Sequence, residues 1–332
     1  MNKLMKYLLI LAFVPVMVFT GCKKDEEPTA TGNFTTLQTY MAANNLDLPK
    51  MLDTWTADAK LTRLGGIVDS AAGYSIPSMH VIDIRPATDF AAGHIKDAVN
   101  STLANILVTA KNMTDKPILV VCATGQTAGV ACMALRLSGF STAKVLKFGM
   151  AGWNSTYSGP WTTAIGNGNQ AQGHANWVTT ASPTPGTYAT PSWTSTSTDG
   201  KTILDERIAA VLAAGFSPVD PTAVLTTPAN YTIVNYWSDA DYTGFGHFNG
   251  AVRINPITLA NNEITGFDPS KETLVYCYTG MTSSFVTTWL NVLGYKTKSI
   301  KFGANALVYD ALKTANKTVF KKAAGFPVVT GK

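Results

Sequence analysis

The chain has 332 residues, with 26 basic and 21 acidic side chains, a formal charge of +5 and only 14% charged residues. Its length predicts two domains rather than one. Its composition, with 46% hydrophobic residues and with Thr, Ser, Asn and Gly in place of many charged ones, excludes disorder and a polytopic membrane protein. So small a positive charge argues against a nucleic acid as a partner. Four cysteines in so long a chain cannot form a dense disulfide framework, so each is interpreted from its own neighbours.

The first residues have the order of a bacterial lipoprotein signal. Lys3 and Lys6 precede an apolar run over residues 7–19, which is short for a membrane span of roughly 20 residues. The sequence VFTGC at residues 18–22 resembles the lipobox, in which small residues precede an acylated Cys. We therefore expect a signal peptide at residues 1–21 and lipidation of Cys22. An ordinary secretory signal with an incidental Cys22 is the alternative.

A polar tether is expected over residues 22–32. It begins CKKDEEP, and a Lys followed by acids resembles the surface-export tethers of some Gram-negative lipoproteins. A merely solvated leader is the alternative. Together these features predict a protein held by a lipid anchor in the bacterial cell envelope, at the outer membrane, facing either the periplasm or the cell surface.

The rest of the chain contains an internal repeat. ILVVCATGQTA at residues 118–128 aligns with TLVYCYTGMTS at residues 273–283, so each copy places an apolar run before Cys-x-Thr-Gly-x-Thr and a small residue. In both copies a Gly followed by an aromatic residue stands 17 positions after the Cys. Flanking segments match in the same order: GHIKDAVN at residues 93–100 with GHFNGAVR at 246–253, and LKFG at 146–149 with IKFG at 300–303.

The repeat predicts two domains of one fold, at residues 33–165 and 198–325. Residues 166–197 between them are crowded with Gly, Asn, Ser, Thr and Pro and show no helical or alternating period, which is typical of a linker. Three aromatic residues interrupt the linker, so we expect part of it to pack against a domain: Trp177, Tyr188 and Trp193.

Hydrophobic patterns predict strands that alternate with helices in both repeats. Short runs suited to strands of a parallel sheet occur at residues 81–84, 118–121, 232–235 and 274–276. After each Cys loop, residues spaced i, i+3, i+4 and i+7 predict a helix, which ends near Gly139 in one repeat and Gly294 in the other. The fold class is therefore α/β, with two domains that each contain a parallel sheet flanked by helices.

Cys122 and Cys277 each end a strand and precede a short loop and a helix. Backbone N–H groups converge at such a position and the positive end of the helix dipole points at it, which favours the reactive thiolate. Glycine permits the dihedral angles that curl successive amides around one anion, and threonine adds a hydroxyl donor. We therefore expect these loop residues to bind a charged group on the Cys: Ala123, Thr124, Gly125, Gln126, Thr127 and Ala128 in the first loop, and Tyr278, Thr279, Gly280, Met281, Thr282 and Ser283 in the second.

With these motifs the sequence resembles a tandem rhodanese-type sulfurtransferase. The family loop opens with the persulfide-forming Cys and commonly reads Cys-x-x-Gly-x-Thr-Ala, which residues 122–128 match and residues 277–283 match with Ser for Ala. The upstream family motif appears as Asp83 and Arg85 followed by GHIKDAVN, and FGMAGW at residues 148–153 is similar to the family's closing segment. The resemblance implies two rhodanese-like domains and catalysis by Cys122 and Cys277.

The resemblance also implies covalent catalysis without a metal or an organic cofactor. A Cys thiolate would take the outer sulfur of a small donor (thiosulfate, a persulfide or a polysulfide) and pass it to a thiol or cyanide. Neither loop contains Arg or Lys, which favours the less charged donors over thiosulfate. Phosphatase chemistry needs an Arg that closes a longer loop, and Ala128 and Ser283 stand six positions after the cysteines.

Other polar residues are expected to support the scaffold. Asp83 and Arg85 are predicted to form a buried charge pair, although the second repeat has NYW at residues 235–237 in place of Asp-x-Arg. His94 and His247 are interpreted as structural residues of a Gly-His turn, with a role as bases as the alternative. Cys132 is interpreted as an inert core residue, with a resolving pair to Cys122 as the alternative. No spacing of His, Cys and Asp resembles a metal site.

Two further classes of function compete with the sulfurtransferase. Uncharged loops also suit a binding or carrier module that holds sulfide, a persulfide or another anion without turnover. The diverged second repeat also suits a structural envelope lipoprotein that uses the fold as a scaffold.

Overall fold

The computed structural model of the protein describes residues 30–331. The predicted signal peptide, the lipidation site Cys22 and most of the tether lie outside these residues and stay predictions. No helix within residues 30–331 combines the length and the apolar character that a membrane span needs.

The first half of the described chain is built around a five-stranded parallel sheet with the strand order β1-β5-β4-β2-β3. Its strands are β1 Thr56–Ala57, β2 His80–Asp83, β3 Val99–Asn100, β4 Ile118–Val121 and β5 Lys144–Leu146. Its helices are α1 Ala30–Ala43, α2 Leu48–Met51, α3 Ala87–Ala92, α4 Ile106–Ala110, α5 Gln126–Leu137, α6 Gly149–Trp153 and α7 Gly159–Gly166.

The second half contains a four-stranded parallel sheet with the order β11-β10-β7-β9, and a two-stranded antiparallel ribbon of β6 and β8. Its strands are β6 Trp177–Val178, β7 Thr232–Asn235, β8 His247–Phe248, β9 Val252–Arg253, β10 Glu272–Tyr276 and β11 Lys296–Ser299. Its helices are α8 Gly200–Ala214, α9 Pro221–Thr226, α10 Asp239–Phe245, α11 Met281–Val292 and α12 Tyr309–Thr314.

The two sheets share strand order and register at the strands that carry the cysteines. Asp83 of β2 pairs with Val121 of β4, directly before Cys122. In the same way Asn235 of β7 pairs with Tyr276 of β10, directly before Cys277. A parallel bridge between Val219 and Ile300, directly after β11, stands where β1 pairs with β5 in the first sheet. The α/β class with parallel sheets flanked by helices is thereby confirmed.

The sequence explains why the strand and helix around each Cys form. All four residues of β4 are buried, and so are the last four of β10, as expected for strands covered on both faces. Gly125 and Gly280 occupy the left-handed region, with φ of 84° and 75°, and there the chain turns from the loop into α5 and α11. The predicted strands and helices lie within a residue or two of the observed ones.

One large hydrophobic cluster contains residues of both halves. Helices α5 and α11 pack directly against each other, so Met133 of α5 and Phe285 and Trp289 of α11 belong to the same buried cluster. The helices approach closely at Gly129, where a Cβ atom would lie 2.3 Å from Ser284 Oγ. The helices that follow the two Cys loops therefore form the contact between the halves.

Each terminal segment packs against the opposite half. Helix α1 packs on α8, and the ring of Phe34 makes edge-on contacts with Trp193 and Tyr295 at 6.4 Å. At the other end, the Ala324 N–H donates to Gly152 O at 2.8 Å, and Val329 pairs with His94 as a short antiparallel bridge. The chain thus crosses between the halves at both ends as well as through the connecting segment.

The connecting segment at residues 166–197 is largely without helix or strand but is well packed. Trp177 Nε1 donates to Phe245 O at 2.9 Å, and the guanidinium of Arg207 lies 5.0 Å from the centre of the Trp193 ring. Tyr188 donates its N–H to Thr265 O, while its ring is exposed. The prediction that part of this segment packs against a domain is confirmed; the domain boundaries stay a prediction.

The helix crossing yields a stability prediction. Gly129→Ala should lower the free energy of unfolding by about 1–3 kcal/mol, because the added Cβ overlaps Ser284 Oγ in a packed interface. Ser284→Ala removes that oxygen, so the double variant should recover most of the loss. Denaturant unfolding of the wild type, both single variants and the double variant measures this coupling. Strictly additive effects would contradict the crossing.

Candidate active site

The first Cys loop directs backbone N–H groups at the sulfur. Cys122 Sγ accepts hydrogen bonds from Gly125 N at 3.1 Å and Ala128 N at 3.3 Å. The second of these N–H groups lies in the first turn of α5, where amides have no partner within the helix. The loop therefore forms the anion cradle that the sequence predicts around Cys122.

Burial opposes this cradle at the free thiol. Cys122 is buried, and desolvation raises the pKa of its thiol, outweighing the Ala128, Thr124 and Gly125 amides that lower it. The carboxylate of Asp83 raises the pKa further. The prediction that this position favours the thiolate is therefore wrong for Cys122, because the sequence shows the amides but not the depth of burial.

The second loop also enters its helix through a left-handed glycine but has a different set of contacts to the sulfur. Cys277 Sγ accepts a hydrogen bond from Ser283 N at 3.3 Å and lies 3.6 Å from the Ser283 hydroxyl. That hydroxyl is in turn 2.7 Å from Ser299 Oγ. Cys277 is as deeply buried as Cys122, so its sulfur also depends on protein groups rather than on water.

Each loop contacts the Phe-Gly turn of the opposite half through an equivalent residue. Gln126, four positions after Cys122, accepts a hydrogen bond through Oε1 from Phe302 N at 2.8 Å. Met281, four positions after Cys277, accepts one through Sδ from Phe148 N at 3.5 Å. Each loop thus satisfies a backbone group in the Phe-Gly turn of the opposite half, and both turns place their Phe at positive φ.

An aromatic cluster of Phe148, Trp161, Phe302 and Phe320 lies against both loops. Trp161 is fully buried, stacks on Phe320 at 5.5 Å, and meets Phe148 and Phe302 edge-on at 5.2 and 4.9 Å. Its indole Nε1 donates to the loop carbonyl of Thr124 at 3.1 Å. The cluster therefore packs over the loops where they adjoin each other.

A buried asparagine ties the second loop to this cluster. The Asn305 amide donates to Tyr278 O at 2.8 Å and to Thr318 O at 3.1 Å, and its Oδ1 accepts from Phe320 N at 3.0 Å. Asn305 thus connects the second loop to the C-terminal segment. That segment contributes Phe320 to the aromatic cluster and then continues to the first half.

Asp83 and Arg85 form the buried ion pair predicted from the sequence. Arg85 donates through Nη2 to Asp83 Oδ2 at 2.6 Å and to Gly93 O at 2.7 Å. The pair joins the end of β2 to the Gly-His turn, so it braces the strand that faces Cys122.

The second half fills the equivalent space with aromatic rings. Trp237 occupies the Arg85 position and stacks on Tyr278 at 5.0 Å. The Tyr278 hydroxyl donates to Asp241, which also accepts from Lys317 Nζ at 2.8 Å. Burial raises the pKa of Asp241, but hydrogen bonds from Lys317 and Tyr278 outweigh it and leave that pKa below its usual value. Lys317 is therefore a cation that lies two hydrogen bonds from Tyr278, the residue after Cys277, although the loop sequence itself contains none.

His94 and His247 lie in the Gly-His turns, held by their own helices. His94 Nδ1 is 2.8 Å from Phe90 O and its ring stacks on Phe90 at 3.7 Å. His247 Nδ1 is 3.1 Å from Tyr242 O and its ring stacks on Tyr242 at 3.6 Å. Burial lowers the pKa of His247, which favours the neutral ring.

Comparison with known proteins places the site in a family. The rhodanese-like domain matches residues 71–156, which include Asp83, Arg85 and the whole first loop. The thiosulfate sulfurtransferase GlpE of Pseudomonas entomophila is 39% identical over 90 residues, which cover 26% of this chain and 79% of that protein. The chain belongs to the rhodanese-like family. The uncharacterized protein YibN of Escherichia coli is 36% identical over 77 residues, covering 22% of this chain; the chain spans about half of YibN, 54%.

Two solved structures are similar to this chain at low identity. The thiosulfate sulfurtransferase of Pseudomonas aeruginosa is 15% identical, covers 90% of this chain and 49% of its own, and has a TM-score of 0.27. The 3-mercaptopyruvate sulfurtransferase of Leishmania major is 13% identical, covers 74% of each chain, and has a TM-score of 0.25.

The remaining cysteine in the described chain lies apart from both loops. Cys132 is fully buried inside α5, and burial raises the pKa of its thiol to about 12. It is a free thiol, as are Cys122 and Cys277. Among residues 30–331, no group of three or more His, Cys, Asp or Glu side chains could hold a metal ion.

Several residues near the two loops were missed by sequence reasoning. Ser299 could have been found by comparing the repeats, because it aligns with Val145 in the first half and is a polar residue in a buried strand. Trp161, Phe320 and Lys317 carry no such signal, since only the fold brings them to the loops.

The aromatic cluster predicts how access to the loops is controlled. Phe320→Ala should increase the alkylation rate of Cys122 and Cys277 several-fold, because it opens the packing over both loops. Phe326→Ala is the matched control, since that ring packs on Trp153 at 5.0 Å in the same segment. Alkylation measured at each cysteine by mass spectrometry tests this, with Cys132 as the internal reference. Equal effects of the two variants would contradict the assignment.

Proposed function

We propose that the protein is a sulfurtransferase, which moves a sulfane sulfur from a small donor through a cysteine persulfide to a thiol or cyanide. The observation that carries this proposal is the convergence of Gly125 N and Ala128 N on Cys122 Sγ, within a loop of the rhodanese-like family. The GlpE relatives, which are thiosulfate sulfurtransferases, support the same class of reaction.

The reaction runs in two displacements. In the first, the Cys thiolate attacks the outer sulfur of the donor; a sulfur–sulfur bond forms to the Cys, the donor's own sulfur–sulfur bond breaks, and the leaving group departs with its electron pair. In the second, the acceptor attacks the outer sulfur of the persulfide and the Cys thiolate leaves. The loop N–H groups face the negative charge of the attacking thiolate and of the persulfide.

We further propose that residues 198–325 form a second rhodanese-like domain, with Cys277 as its nucleophile. The shared strand order, the equal register before each Cys and the matching Phe-Gly turns support this proposal. The reciprocal contacts of Gln126 and Met281 support a pseudo-symmetric arrangement of the two sites.

A donor of low charge suits these loops better than thiosulfate. Both cysteines are buried, the loops contain no Arg or Lys, and the aromatic cluster lies against them. Bringing a doubly charged anion into such surroundings carries a large desolvation penalty. An organic persulfide, which presents a single negative charge at its reacting group, is therefore the proposed donor.

Sulfur transfer predicts that a donor leaves one extra sulfur on Cys122 and Cys277. Incubation of the full chain with thiosulfate, a glutathione persulfide or an inorganic polysulfide, followed by mass spectrometry of intact cysteine peptides, measures this. Cys122→Ser and Cys277→Ser should each abolish the adduct at that position only, and Cys132→Ser should leave both adducts in place. Absence of an adduct with every donor would refute the proposal.

The same experiment separates an enzyme from a carrier. An enzyme should release the bound sulfur when a small thiol or cyanide is added and should turn over with excess donor. A persulfide that forms and resists both acceptors would instead support a carrier module.

We also propose that Cys22 is lipidated after removal of residues 1–21 and anchors the protein in the cell envelope. The charged, apolar, small-residue and Cys order of residues 1–22 supports this. Cys22→Ser should move the protein from the membrane fraction to the soluble fraction, while Cys132→Ser leaves it in the membrane fraction. Immunoblotting of fractionated cells measures the distribution, and an unchanged distribution of the Cys22 variant would overturn the anchor.

A further inference from the structure

A pair of buried serines stands behind Cys277. Ser283 Oγ is 3.6 Å from Cys277 Sγ and 2.7 Å from Ser299 Oγ, and both serines are almost completely buried. Ser299 Oγ also lies 3.3 Å from the loop carbonyl of Gly280. The three groups form a short chain of hydrogen bonds that leads away from the sulfur.

The first loop lacks this chain. Ala128 stands at the Ser283 position, six residues after Cys122, and Val145 stands at the Ser299 position, three residues before the Phe of the Phe-Gly turn. Both replacements occur together, and both residues of the first half are buried and apolar. Equivalent positions therefore place apolar side chains beside Cys122 and hydroxyl groups beside Cys277.

The serine pair can satisfy the sulfur in either protonation state. With a thiol at Cys277, the S–H donates to Ser283, which donates to Ser299, which donates to Gly280 O. With a thiolate, Ser283 turns its hydroxyl toward the sulfur and Ser299 donates to Ser283. Either hydroxyl can be the donor in the pair, so the thiolate gains an O–H donor at no cost in unpaired groups.

The charged neighbours of the two cysteines also differ. Cys122 interacts with the carboxylate of Asp83, the last residue of β2. The same register position beside Cys277 holds the neutral Asn235, the last residue of β7. Two titratable groups interact electrostatically with Cys277: Tyr236, directly after β7, and Tyr278 of its own loop. Burial raises the pKa of both phenols, so both are neutral at physiological pH, and the ion pair of Asp241 and Lys317 lies beyond Tyr278.

We propose that Ser283 acts as a catalytic hydrogen-bond donor to the Cys277 sulfur, that Ser299 is the positioning residue that orients it, and that this pair makes Cys277 the nucleophile that carries negative charge near neutral pH. The proposal rests on the sulfurtransferase function and refines it, because it gives the two loops unequal roles. Cys277 accepts sulfur from the donor first, and Cys122 requires a higher pH or an opened loop to do so.

Titration of the thiols tests the serine pair directly. The full chain carrying Cys22→Ser is labelled with ¹³C at cysteine Cβ, and the Cβ shift is followed against pH; Cys→Ser variants assign each resonance. We expect the Cys277 midpoint to lie below that of Cys122. Ser283→Ala should raise the Cys277 midpoint by about one pH unit, a tenfold change in the thiolate fraction, without moving Cys122.

Ser299→Ala should move the Cys277 midpoint in the same direction by a smaller amount. Ser284→Ala is the matched control, because Ser284 is equally buried in the same helix but donates to Met281 O at 2.8 Å. That variant should leave the Cys277 midpoint unchanged. A purely structural role for the serines would alter unfolding transitions without this selective shift.

Two results would overturn the proposal. One is a Cys277 midpoint at or above that of Cys122 in the wild type; the other is an unchanged Cys277 midpoint in folded Ser283→Ala and Ser299→Ala. The titration involves no sulfur donor, so its failure leaves the transfer chemistry standing. Conversely, a protein that forms no persulfide could still show the selective shift.

Discussion

The crossing of α5 and α11 is the contact on which the arrangement of the molecule depends. Each helix starts directly at a Cys loop, so a close approach near their first turns also sets the two loops side by side. Gly129 permits this approach because any side chain there would occupy the space of Ser284 Oγ. The exchanged hydrogen bonds of Gln126 and Met281 follow from the crossing, since each Phe-Gly turn then finds its partner in the opposite half.

Burial of the loops has an electrostatic consequence. A loop that collects N–H groups around a sulfur stabilises an anion, but burial removes water from the same place, and at Cys122 desolvation prevails. The second half has the equivalent order of strand, loop and helix but different side chains, with Asn235 in place of Asp83 and hydroxyl groups at Ser283 and Ser299. The two repeats therefore differ in the side chains that surround the sulfur as well as in the scaffold.

Sequence patterns predicted the local elements and missed the contacts between them. The apolar runs of β4 and β10, the helical spacing of α5 and α11 and the Asp83–Arg85 pair follow from short-range rules, because strand burial and loop chemistry leave a periodic trace. The cluster around Trp161 and the contact of Lys317 with Asp241 join residues far apart in the chain, and no periodicity records them. The low pKa expected at Cys122 failed for a related reason, since burial depends on the packing of the whole fold rather than on the loop sequence.

The two ends of the described chain cross between the halves. Helix α1 lies in the first half and packs on α8, while Val329, at the end of the second half, pairs with His94. Each half is thereby clasped by a segment of the other, so separation of the halves would require both ends to detach together with the helix crossing. We expect two halves joined in this way to melt as a single cooperative unit, and neither half, cut at the ends of its own sequence, to retain all the surface that covers its core.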